Sequence, residues 1–171
     1  MKFHKFIVIP FSIGVLAFIL QLVDQSLSPI LSPDGNSGFA WISFQAWAVY
    51  FFAGCNMKGG LKSYLNYITG IVAAIFMILL GQFVTPMLGS FSMPFALLVG
   101  CVIFLSLERV ELFNLLPPMF ISAGIYFGII TYVPNANFIN VAVIVALYAF
   151  FGLFLGYISI LFRQWYEEKQ K

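Results

Sequence analysis

The sequence predicts an all-α polytopic membrane protein built from six transmembrane helices. Three observations carry this prediction: an extreme apolar composition, six long apolar runs, and the places where the basic residues fall between those runs. Of 171 residues, 62% are hydrophobic and 8% charged, whereas an ordinary soluble domain is roughly 25% charged. With 21 Phe and 8 Tyr, there is too little polar surface to cover the apolar surface, so the natural solvent is lipid.

The apolar runs fall at about Phe6–Leu27, Phe39–Cys55, Tyr64–Val84, Phe91–Leu107, Leu115–Val133 and Phe138–Phe162. Runs of about 17–25 residues suit helices crossing a hydrocarbon core about 30 Å thick, and lipid leaves a free backbone no other single-segment form. The first run follows Met1-Lys2-Phe3-His4-Lys5, the layout of a secretory signal. A first span is preferred, because no small-x-small cleavage site follows. The connections are Ser28–Gly38, rich in turn residues; the Gly-rich NMKGGLK; uncharged Thr85–Ser90; charged Ser106–Asn114; and uncharged Pro134–Asn137. No linker divides the chain, so residues 1–171 are expected to form one integral membrane domain.

If the six helices alternate in direction, one side of the membrane receives Lys2, Lys5, Lys58, Lys62, Arg109, Arg163, Lys169 and Lys171, which are all eight basic residues. Short loops rich in Lys and Arg stay cytoplasmic. Lys58, Lys62, Arg109 and Arg163 therefore act as topology anchors, and both termini are expected in the cytoplasm. Removing or merging one span would throw part of this set across the membrane, which favours six spans over five or seven. Asp34 lies on the opposite side, where an acid does not weigh against the rule. Trp41 and Trp165 occupy the places of interfacial anchors.

The two halves start from opposite sides, so similarity between them would be an inverted 3+3 repeat, a plan common among transporters. An offset of 76 aligns Phe44, Tyr50 and Phe51 with Phe120, Tyr126 and Phe127, and Pro10 with Pro86. The third run carries Asn66, Gly70, Ala73 and Gly81 at helical spacing; the sixth carries Ala142, Ala146, Ala149, Gly152, Gly156 and Ser159 on one face. Small residues let helices approach closely in lipid, so the third and sixth helices are expected to pack tightly, against each other or against a copy. Gly124-Ile-Tyr-Phe-Gly128 and Gly152-Leu-Phe-Leu-Gly156 are small-xxx-small motifs, readable equally as oligomer contacts or as packing within one bundle.

Little in the spans is ionisable. Asp24 is the exception, an intramembrane acid and so a functional candidate, although its place near the end of the first run favours a solvated helix-end residue. Proton relays and charged channel rings need more than this, which points to passive movement of a small neutral solute. Gln45, Asn66, Thr69, Gln82, Ser122 and Tyr126 could line a pore, and Trp47 with Tyr50 could form an aromatic constriction. Each could instead tie one helix to another, which is the commoner use. Cys55 and Cys101 are expected as buried, reduced packing residues. The lone His4 is close to neither, so no metal site and no cofactor is expected. Leu115-Leu116-Pro117-Pro118 reads as a helix start capped by Asn114, with a broken helix at a substrate as the alternative. Gly59–Gly60 reads as a tight turn. The net charge of +2 without a basic cluster argues against nucleic acid, and no acid, base and nucleophile converge, so no enzyme is expected.

The segments WAVYFFAGCNMKGGLKSYLNYITG (Trp47–Gly70), LPPMFISAGIYFG (Leu116–Gly128) and GLFLGYIS (Gly152–Ser159) together resemble family 1097 of domains of unknown function, small bacterial inner-membrane proteins. The resemblance covers most of the chain from the second run onward. It implies a bacterial inner-membrane location and a single membrane domain, and it assigns no substrate and no site residues. The Ser28–Gly38 loop and the tail WYEEKQK depart from the shorter core pattern. The sequence thus leads to a channel or facilitator for a small neutral solute, working as a homo-oligomer in the lipid bilayer. The alternative is a non-transporting scaffold or accessory subunit of a membrane complex.

Overall fold

The structure, a computed structural model, describes residues 3–32 and 38–170. Lys2, Asp34, Lys171 and residues 33–37 of the Ser28–Gly38 loop lie outside the described residues. Among those described, every regular element is a helix: α1 (Phe3–Phe6), α2 (Val8–Leu31), α3 (Ala40–Phe52), α4 (Met57–Leu88), α5 (Ser92–Leu105), α6 (Leu116–Tyr132) and α7 (Phe138–Glu168), with short 3-10 turns at Gly89–Phe91 and Ser106–Arg109. Helices α2 to α7 sit on the six apolar runs, with shifted ends. Among the described residues three stretches are long and apolar enough to cross a membrane, Phe3–Leu31, Met57–Arg109 and Phe138–Glu168, and α6 is a shorter apolar helix.

The shifted ends have local causes. NMKGGLK is not the turn expected: the turn lies one step earlier, at Gly54 (φ +94°) and Cys55 (φ +54°), and Asn56 then caps α4 by accepting the Gly59 N–H at 2.8 Å on Oδ1. Gly59 and Gly60 belong to the first turn of α4. Their small size serves close approach, since a Cβ at Gly60 would stand 2.9 Å from the Tyr50 ring and one at Gly59 would meet the Ala53 carbonyl. The Thr85–Ser90 connection shrinks because α4 continues through Pro86 to Leu88. A straight rod over Met57–Arg109 would exceed the bilayer twofold, and Gly89, at φ +53°, provides the reversal into α5.

Helix α6 begins at Leu116 with proline in its first positions, as expected. Its N-cap is Leu115 without a side-chain bond, not Asn114. Asn137 caps α7, accepting the Asn140 N–H at 2.9 Å. Helix α7 outruns the sixth apolar run to Glu168, helped by the Arg163–Glu167 pair at 2.9 Å one turn apart.

The chain falls into two compact units, Met1–Gly60 with Leu147–Lys171, and Leu61–Ala146. In the first unit, Leu20, Ala40, Trp47 and Leu155 form a buried cluster flanked by Leu16, Ala17 and Phe151. Helix α7 lies so close to α3 that a Cβ at Gly152 would strike the Ser43 carbonyl and the Ala46 methyl, and one at Gly156 would strike the Tyr50 side chain. The Ser43 hydroxyl donates to the Tyr148 carbonyl at 2.7 Å and Trp47 Nε1 donates to Ser159 Oγ at 3.1 Å.

In the second unit α4 presses on α6 in the same manner, a Cβ at Gly70 running into Ser122 Oγ and the Met119 carbonyl. Gly81 makes ordinary contact with Met93 and Ala96 of α5, Gly100 accommodates the Met77 side chain, and Phe76 meets Phe104 edge-on. Within each unit the tightest contacts of these stripes are those of Gly70 with α6 and of Gly152 and Gly156 with α3. Gly124 and Gly128 differ from Gly152 and Gly156: nothing lies within 4 Å of a Cβ at either.

Candidate functional site

Most residues that the sequence offers as pore lining have a structural partner. In the first unit, Trp47 is buried and donates to Ser159, and Tyr50 is buried against Gly60 and Gly156. Gln45 is on the exposed face of α3. In the second unit, Asn66 is buried and its Nδ2 donates to the carbonyls of Lys62 (2.8 Å) and Leu112 (2.9 Å), pinning the α5–α6 connection to α4. Thr69 donates back to the Leu65 carbonyl at 2.9 Å, Ser122 to the Met119 carbonyl at 3.1 Å, and the buried Tyr126 hydroxyl to the Phe138 carbonyl at 2.9 Å. Three of the seven lie in the first unit and four in the second.

Two other places carry chemistry. The first is a half-open cleft of about 470 Å³ in the second unit, lined by Ile78, Gln82, Met93, Phe127, Ile130, Thr131, Ala136, Asn137 and Phe138. Its volume lies within the range of small-molecule sites, roughly 300–1,000 Å³, and it shows their usual makeup of apolar walls with a few polar groups. The amide of Gln82, the hydroxyl of Thr131 and the Asn137 side chain supply the hydrogen bonding, and the lining carries no charge. Phe138, which closes the cleft at the start of α7, is held by the Tyr126 hydroxyl. Sequence reading reached Gln82 alone; Thr131 and Asn137 sit on opposite sides of a short turn and gain meaning only when folding brings them to the end of α4.

The second place is Asp24, in the first unit. It is not a solvated helix end: the residue is fully buried. Its Oδ1 accepts the Tyr148 hydroxyl at 2.6 Å and the Phe39 backbone N–H at 3.0 Å, fastening α2 to α7 and to the residue that opens α3. Phe39 and Tyr148 meet edge-on, with ring centroids 5.9 Å apart. One and two turns further along α2 come the buried Ser28, whose Oγ accepts the Gly38 N–H at 3.3 Å, and the buried Ser32. The i, i+4, i+8 spacing of Asp24, Ser28 and Ser32 was the available signal that this end of α2 has an inward polar face.

The expected anchors and cysteines fall as follows. Trp41 and Trp165 are about half exposed, and Lys169 lies over the Trp165 ring at 4.3 Å. Cys55 and Cys101 are free thiols, half-buried where full burial was expected. Among the described residues no cluster of His, Cys, Asp or Glu could hold a metal ion.

An all-helical chain whose large apolar side chains stand open to the surroundings, Phe11, Phe18, Phe83 and Leu98 among them, is stable only where the surroundings are themselves apolar. The class is therefore membrane protein. The chain belongs to the family described as protein of unknown function (DUF1097), which matches residues 11–164. No curated protein and no solved structure matches the chain.

Proposed function

We propose that α2 to α7 cross the bacterial inner membrane as six spans with both termini cytoplasmic, forming a single membrane domain that passes a small neutral solute passively and assembles with copies of itself. The observation that carries the solute reading is the uncharged cleft with Gln82, Thr131 and Asn137 at its edge. With the termini inside, it opens at the periplasmic ends of α4 and α6, where a solute able to exchange hydrogen bonds with amides and a hydroxyl would enter. The orientation is supported by Lys5, Lys58, Lys62, Arg109, Arg163 and Lys169, which alternating spans would gather on one side.

A 3+3 inverted repeat is supported by the matching close contacts. Ser43 and Met119, Ala46 and Ser122, Tyr50 and Tyr126 are each 76 residues apart, and the glycine of the facing helix meets the carbonyl of the first pair and the side chain of the second in both units. Exchanging the halves turns the set α2, α3, α7 into α5, α6, α4, and the two compact units follow this division except that α4 starts in the first unit, up to Gly60, and α7 in the second, up to Ala146. The scaffold reading draws on a separate observation, the open Gly124–Gly128 face.

The test is stopped-flow light scattering on liposomes holding the purified protein, challenged with water, glycerol and urea. One solute should equilibrate faster than in empty liposomes, and Gln82→Leu should slow it about fivefold, the equivalent of one hydrogen bond of about 1 kcal/mol. Rates equal to those of empty liposomes across the panel would discard the facilitator in favour of the scaffold.

A further inference from the structure

We propose that the corner where α1 meets the end of α7 binds the phosphate of an anionic phospholipid, held by Lys5 and Lys169 beside the Trp165 ring. The site lies within the first unit; it rests on the membrane class and not on the facilitator reading. Two contacts build it. The Tyr166 hydroxyl donates to the Lys5 carbonyl at 2.9 Å, which ties α1 to the last turns of α7. The Lys169 ammonium lies 4.3 Å from the centroid of the half-exposed Trp165 ring.

Helical spacing sorts the charges on α7. Phe162, Trp165, Tyr166 and Lys169 follow the i, i+3, i+4, i+7 pattern and share one face. Phe162 stacks on Tyr166 with ring centroids 6.1 Å apart and tilts against Trp165 at 5.8 Å. The two acids of this segment fall elsewhere: Glu167 is taken by Arg163 at 2.9 Å, and Glu168 stands about 100° round the helix from Lys169. Among the described residues neither Lys5 nor Lys169 is within ion-pair distance of a carboxylate. A ring face takes up the charge of an ammonium without spending its N–H groups as ordinary hydrogen bonds, so the donors of Lys169 remain for an oxygen-rich anion. Lys5 carries its own ammonium on a flexible four-carbon stem, from a backbone that Tyr166 holds against the same stretch of helix.

The order of residues along α7 says which anion this is. From Phe162 to Lys169 the helix rises about 10 Å, passing from an apolar ring, through the amphipathic Trp165 and Tyr166, to an ammonium. A phospholipid presents its parts in the same order across the interface: acyl chain, glycerol esters, phosphate. The start of the chain repeats the gradient, with Lys5 followed by the apolar run from Phe6. A soluble acidic partner has no use for such a gradient. Tyr166 is a positioning residue: it acts on the lipid through Lys5, by fixing where the second cation starts.

Native mass spectrometry of the full chain, released from detergent with equal amounts of phosphatidylglycerol and phosphatidylcholine, tests the site. The wild type should retain phosphatidylglycerol over phosphatidylcholine by about twentyfold, and Lys5→Gln and Lys169→Gln should each lower that preference about fivefold. Tyr166→Phe, which alters no charge, should lower it about twofold or more by releasing Lys5. Arg109→Gln, which removes one charge from the α5–α6 connection, should leave it unchanged. The four substituted residues are exposed or half-buried, so the fold is retained. Equal retention of the two lipids by the wild type would overturn the proposal. So would an equal loss in Arg109→Gln and the lysine variants, the mark of a diffuse attraction to net charge, or an unchanged preference in Tyr166→Phe. Millimolar inorganic phosphate should not displace the lipid; displacement would reassign the corner to free phosphate and overturn it as a lipid site.

Discussion

The two compact units solve the same packing problem and then diverge. In each, a glycine on a long helix admits the backbone of a shorter one: Gly152 receives the Ser43 carbonyl in the first unit, Gly70 the Met119 carbonyl in the second. In each, a fully buried tyrosine stands two turns further along the shorter helix, Tyr50 or Tyr126. The polar groups added to this frame differ. The first unit joins three elements through a sealed carboxyl, while the second opens a cleft whose lining carries no charge. The comparison teaches that packing in lipid is set by small residues at fixed registers, whereas chemistry is placed independently of it.

The sharpest way to break the comparison is to fill the two glycines. Gly70→Val and Gly152→Val each force a branched side chain into a backbone carbonyl that a helix cannot move aside. Each should therefore cost about 3 kcal/mol or more, at the upper end of overpacking effects. Thermal unfolding in detergent checks this: the two variants should fall together. A variant that unfolds like the wild type would show that its helix pair does not need the close approach, and the equivalence of the units would go with it.

Asp24→Ala comes next, and it should separate the units instead of uniting them. It leaves the Tyr148 hydroxyl and the Phe39 N–H buried without an acceptor, a loss of roughly 2 kcal/mol. The residue 76 positions on is Gly100, which holds no polar partner and instead admits Met77. Hydrogen exchange should therefore quicken at the start of α3 and in the nearby turns of α2 and α7, and stay unchanged in α5 and α6. Equal quickening in both units would show that the carboxyl supports the whole fold and not one junction.

The sequence made the helices legible because lipid imposes a single rule, long apolar runs, and all six runs carry a helix. Their ends were less legible, because side-chain capping by Asn56 and Asn137 decides them, and Gly54 with Cys55, not the Gly59–Gly60 pair, makes the turn. The site was legible in residue type more than in place. Gln82 was visible as a polar residue near a helix end, but Thr131 and Asn137 reach it only through folding. Asp24 stands near the end of an apolar run, a position that suggests exposure, yet it is fully buried. Burial depended instead on Tyr148, 124 residues away, a partner that no local pattern announces.

The smallest expected effect concerns the two glycine motifs. Gly152 and Gly156 are filled by α3, yet Gly124 and Gly128, with the same spacing on α6, meet nothing within 4 Å. Within one chain, Gly124→Ala and Gly128→Ala should then each stabilise slightly, by up to about 1 kcal/mol, because alanine is the better helix former and no neighbour opposes the added methyl. If copies of the chain associate through this face, the same methyl groups would meet a second backbone, and the balance would reverse. Mass measurement in mild detergent distinguishes the cases. An unchanged assembly with a slightly raised unfolding temperature would assign the spacing to an open face and remove the glycines as support for a homo-oligomer. A shift from oligomer to monomer would show that the motif does between chains what Gly152 and Gly156 do within one.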